Sequence, residues 1–104
     1  MKLRFVRASA TAVVGLISAM PLHAADAVNG ERLARRWCAS CHVVASDQRI
    51  PTGEAPPFAT IAKDANLEAS RLALFLLDPH PKMPDMGLSR TAAADLAAYI
   101  VSLK

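Results

Sequence analysis

The chain has 104 residues, with twelve Lys and Arg against nine Asp and Glu, and two cysteines. That length holds one domain and no more. Lys2, Arg4 and Arg7 precede every acidic residue, so beyond Ala25 the balance is nine against nine and net charge gives no ground for nucleic-acid or anionic-membrane binding.

The first stretch is excluded from the fold. Lys2, Arg4 and Arg7 form a positive region, Ala8 to Met20 is a 13-residue uncharged and mostly apolar run, and Pro21 interrupts it before Ala24 and Ala25. That run is too short to span a bilayer comfortably and reads as a secretory signal peptide, residues 1–24. Cleavage after Ala24, after Ala25 or after Ala27 each has some support, and an uncleaved membrane anchor is the alternative. The remaining domain, residues 25–104, is small enough to need a staple beyond its own core.

Helical signals then come in chain order. A first helix is predicted over about Val28 to Cys38, with Leu33 and Trp37 four residues apart. Gly30 inside it costs about 1 kcal/mol relative to alanine, which is easiest to explain if another helix crosses closely there. A short helical turn is predicted after Pro57, through Phe58, Ile61 and Ala62. Asn66 is the expected N-cap of the next helix, with Glu68 in its first turn, Leu67, Leu72, Leu74, Phe75, Leu76 and Leu77 as its apolar residues, and Pro79 as its end. Ser89 is the expected cap of the last helix, on which Ala92, Leu96, Tyr99, Ile100 and Leu103 share a face. No stretch alternates like a strand.

The first helix runs into Trp37-Cys38-Ala39-Ser40-Cys41-His42, which holds both cysteines as C-x-x-C followed by histidine. That string is the attachment signature of c-type haem. Two thiols one turn apart can each add across a haem vinyl group, and the next side chain then sits under the iron. A thioredoxin-like motif needs a preceding strand that is missing here. Structural zinc wants four ligands, and a disulfide this short closes too small a loop to help stability.

Two proline-bearing segments follow. Pro51, Gly53, Pro56 and Pro57 punctuate the stretch from Val43 to Pro57, and Pro79, Pro81, Pro84 and Gly87 that from Asp78 to Leu88. Proline fixes φ and removes a donor, so both are extended backbone wrapped around something. The second carries Met83 and Met86. A thioether is a neutral, soft donor that favours ferrous iron and raises the reduction potential. Met83 is preferred over Met86 because Pro84 stiffens its backbone.

Gly30, Trp37, Cys-Ala-Ser-Cys-His, Ala-Pro-Pro-Phe, Lys-Met-Pro and a last helix bearing Leu96 and Tyr99 together resemble a short bacterial mono-haem class I cytochrome c. The resemblance covers essentially all of residues 25–104. It implies an all-α fold of three to four helices around one covalent haem c, with Gly30 beside Tyr99 and Leu96. It also implies a proline carbonyl on the far nitrogen of His42, from Pro56 first and Pro57 second. Ala34 stands where many members carry an aromatic residue, a space Leu33 and Trp37 are expected to fill.

The function expected is one-electron transfer in the periplasm, with Cys38 and Cys41 as covalent anchors, His42 and Met83 as axial iron ligands, and donor and acceptor redox proteins as partners. The protein is expected to be monomeric when free and to meet a membrane only through a partner or an uncleaved signal. The alternatives are a haem subunit of a larger dehydrogenase, or a peroxide- or gas-reactive haem protein with a labile sixth ligand. Trp37 reads as a packed aromatic whose N–H could reach a haem propionate, His80 as an exposed loop residue and Tyr99 as core. Arg35, Arg36, Lys82 and Arg90 read as solvated charges, with Lys82 also a candidate for a docking patch at the haem edge.

Overall fold

The computed structural model describes residues 9–18, 24–48, 54–78 and 82–104. The described residues form four helices and no strand: α1 (Ala27–Trp37), α2 (Phe58–Ile61), α3 (Ala69–Leu77) and α4 (Arg90–Ser102). The expected all-α fold is therefore the observed one. Lys2, Arg4, Arg7, Met20 and Pro21, and the loop residues Pro51, Gly53, Pro79, His80 and Pro81, lie outside the described residues.

Each helix starts where its local chemistry allows. Asp26 is extended, and its carboxylate accepts the Asn29 N–H at 3.0 Å, so α1 begins at Ala27 and ends at Trp37, one residue earlier at both ends than predicted. Ser89 caps α4 as expected, its hydroxyl accepting the Ala92 N–H at 3.0 Å. The short α2 follows Pro57 as expected. Asn66 is not the cap of α3. Its N–H is drawn to the Asp64 carboxylate at 2.9 Å in a local turn, and the helix starts three residues later, with Glu68 in the cap position.

Helix α4 is the axis of the fold: α1 and α3 pack along it, and α2 touches it. Where α1 crosses, Gly30 lies on the α4 backbone. A Cβ at Gly30 would overlap the Asp95 carbonyl oxygen and stand 2.8 Å from Tyr99 Cβ, so only glycine fits. Gly30 thus lies beside Tyr99 as expected, with the Asp95 backbone as its nearest neighbour. Ala34, Ala93 and Ala97 are fully buried. The space beside Ala34 needs no aromatic side chain, because small residues let the helix surfaces meet.

Asp95 is the one buried charged residue among those described. Its two oxygens accept the Asp26 N–H and the Asn29 side-chain N–H, each at 2.8 Å, which ties the start of α1 to the middle of α4. The face expected on α4 is broader than predicted, with Ala93, Asp95 and Ala97 buried alongside Leu96, Tyr99 and Ile100, while Ala92 and Leu103 are half-buried at its margin. Arg35 is not merely solvated, since it bridges Glu31 at 3.0 Å and Asp47 at 2.9 Å.

Candidate functional site

The haem motif begins as α1 ends. The Cys38 N–H still donates to Ala34 O, and the Cys41 and His42 N–H groups both turn back to Cys38 O, at 3.2 and 2.9 Å. This tight turn brings Cys38, Cys41 and His42 to the wall of a cleft whose other lining includes Trp37, Met83, Pro84 and Met86. An inner cavity shares Cys38, His42 and Met83 and is otherwise walled by Phe58, Ile61, Leu72, Phe75, Leu76, Leu96 and Ile100. The inner cavity has about 640 Å³ of empty space and the outer cleft about 440 Å³, mouths included.

The His42 ring is oriented from behind. Its Nδ1 lies 2.7 Å from the Pro56 carbonyl oxygen, which can only accept, so Nδ1 carries the hydrogen and Nε2 keeps the lone pair. Phe58 flanks the ring with centroids 5.0 Å apart. Pro56 is held there by the backbone: the Ala55 N–H donates to Cys41 O at 3.1 Å and the Phe58 N–H to Val43 O at 2.9 Å. Burial pushes the Cys38 thiol up to about 11, so at neutral pH the sulfur keeps its proton.

These residues fit haem c. The walls of the inner cavity are apolar apart from His42, as a flat aromatic macrocycle requires, and the two thiols stand beside the imidazole on one wall. Trp37 is half-buried and packs against the core as expected while also lining the cleft, with the Arg36 guanidinium 5.9 Å over its ring. Met83 lines both the cleft and the inner cavity, whereas Met86 lines only the cleft and is 37% exposed. Lys82, immediately before Met83, has φ of 80°, a left-handed conformation uncommon for lysine that fixes how the chain enters the methionine.

Sequence reasoning missed the residues that hold this wall from behind. Gln48 and Tyr99 reach the motif's main chain, with the Tyr99 O–H donating to Val44 O at 2.6 Å. Tyr99 was legible as core, but its hydrogen bond has no local signal, because Val44 lies 55 positions away.

The comparisons with known proteins agree with this geometry. The family model described as Cytochrome c matches residues 27–104. A cytochrome c-552 of Bradyrhizobium diazoefficiens is 57% identical over 81 residues, covering 78% of this chain and 78% of that protein. No solved structure matches the chain. The chain belongs to the cytochrome c family, and as such it is an electron-transfer protein rather than an enzyme, built around covalently bound haem c.

Proposed function

We propose that the protein is a periplasmic one-electron carrier whose iron is held by His42 and Met83, with Cys38 and Cys41 as the covalent anchors. Haem c supplies a reversible one-electron couple at iron. The protein's part is to hold that iron between two fixed donors. His42 presents Nε2 because Pro56 occupies Nδ1, and this hydrogen bond raises the basicity of the ring. Met83 presents a neutral sulfur from a stretch stiffened by Pro84, and its place on both the cleft and the inner cavity favours it over Met86. With His42 and Met83 both holding the iron, no open coordination position would be left for catalysis. Trp37, which lines the cleft, would offer its N–H to a haem propionate.

Export is supported by the leader-like start. Residues 9–18 have no secondary structure, and Val13, Val14, Leu16 and Ile17 are 82 to 94% exposed, so this apolar run takes no part in the core. No helix of the described residues is long and apolar enough to cross a membrane. Donor and acceptor redox proteins are the proposed partners, with Lys82 beside the cleft contributing to a docking patch.

The observation carrying this reading is the convergence of Cys38, His42 and Met83 on one apolar cavity. Paired variants test it. Met83→Ala should abolish the weak far-red absorption of a sulfur-to-ferric-iron bond, lower the reduction potential and admit carbon monoxide to the reduced protein. Met86→Ala should leave all three nearly unchanged. The opposite pattern makes Met86 the ligand.

A further inference from the structure

The main chain that carries the haem motif is gripped from outside at five carbonyls. Val44 O is taken by Tyr99, Val43 O by the Phe58 N–H and Cys41 O by the Ala55 N–H. The other two, Ala39 O and His42 O, are taken by the side chain of Gln48, whose Nε2 donates to them at 3.1 and 3.0 Å. The same carboxamide accepts the Val44 N–H through Oε1 at 2.7 Å. One side chain therefore holds three main-chain groups on both flanks of the motif's histidine.

Only a glutamine satisfies that set. Two carbonyl oxygens need two N–H donors, and the Val44 N–H needs an acceptor. A primary amide has both, in one plane. Glutamate would set a carboxylate against two carbonyl oxygens, lysine would leave the Val44 N–H without an acceptor, and asparagine is one methylene too short. Gln48 is itself held, because its N–H closes a turn on Ala45 O at 3.2 Å and the neighbouring Asp47 is clamped to Arg35 of α1 at 2.9 Å.

We infer that Gln48 is a positioning residue for the iron-binding histidine: its carboxamide locks the main chain of His42 and Val44, so that the His42 ring stays on Pro56 O in both oxidation states. This rests on His42 being an axial ligand. The consequence is electronic as well as structural. The Nδ1–H···O bond makes the ring a stronger donor and favours ferric iron, so loosening that bond raises the reduction potential.

The test uses the haem-loaded protein and the variants Gln48→Met and Gln48→Glu, with Asp64→Ala as a control that removes a turn hydrogen bond elsewhere. Gln48→Met should speed amide hydrogen exchange at Val44 by about tenfold or more, the loss of protection expected when an amide loses its acceptor, whereas Gln48→Glu keeps an acceptor for that amide, loses the two bonds to Ala39 O and His42 O, and should show a smaller increase. The neutral Gln48→Met should also raise the reduction potential, whereas in Gln48→Glu the added negative charge opposes that rise. Asp64→Ala should change only thermal stability. If the Gln48 variants merely lose stability, with potential and Val44 exchange matching the control, Gln48 is a loop staple and the positioning role is wrong. If the ferric wild type shows no iron-shifted His42 ring protons by NMR, the axial reading fails and takes this inference with it.

Discussion

The two flanks of α4 are packed to different standards. Towards α1 the crossing at Gly30 brings the helix against the Asp95 backbone and Tyr99 Cβ, and Asp95 is hydrogen-bonded at both oxygens. Towards α3 only Leu72 of that helix is buried, and Phe75, on the wall of the inner cavity, is 58% exposed. The first flank is completed by the protein itself. On the proposed reading the second would be completed by the cofactor, which would give a domain of about 80 residues the apolar area it otherwise lacks.

The largest expected effect removes the cofactor's contribution. Cys38→Ala combined with Cys41→Ser should give protein that loses its haem on acid-acetone extraction and, once stripped, shows mostly unfolded far-ultraviolet circular dichroism. A stripped variant with native helix content and cooperative melting would mean that the α1–α4 side suffices alone.

The converse breaks the sealed side. Gly30→Ala must push α1 away from the Asp95 backbone, at a cost of about 3 kcal/mol or more by chemical denaturation, the upper range for overpacking. Its visible spectrum should stay that of the wild type, because Gly30 does not line the cavity.

A smaller effect joins the two sides. Tyr99→Phe leaves Val44 O without its donor and should cost about 1–2 kcal/mol. The sign of its pH dependence is fixed. Burial raises the Tyr99 pKa, so the stability it contributes is fully present below the unfolded tyrosine value, about 10, and is lost as pH rises through the higher folded value. Alkaline melts should show that loss in the wild type and a weaker one in Tyr99→Phe.

The smallest effect belongs to Asp47. Arg35 holds its carboxyl below the usual range, so its contribution is present above the unfolded pKa and is lost as pH falls through the lower folded one. The pair is solvent-exposed, so Asp47→Asn should shift Tm barely at neutral pH and not at all in acid.

What could be read from the chain beforehand was whatever is encoded locally. C-x-x-C-H is five residues of contiguous chemistry, Ser89 and Pro57 act on adjacent backbone, and the glycine at position 30 advertised a close crossing. Asp95 was invisible because a lone carboxylate on a helix reads as solvated, and its partner Asp26 is 69 positions away. Gln48 was invisible for a related reason: a polar residue in a turn looks like surface until three main-chain groups are found around it. The start of α3 was misplaced because Asn66 belongs to a turn closed on the Asp64 carboxylate, two residues before the helix cap, and spacing alone does not show that turn.

On the proposed reading the iron would be held between two side chains of this protein, His42 and Met83. Carbon monoxide binding to the reduced wild type, recovered from the exported fraction, tests it most directly. An external ligand must displace a thioether carried on a proline-stiffened stretch that gains little entropy by its release. Poor binding, together with far-red absorption in the oxidised form, is the result expected of a His42/Met83 carrier. Ready binding by the wild type would mean an open sixth site, and a gas- or peroxide-reactive haem protein instead.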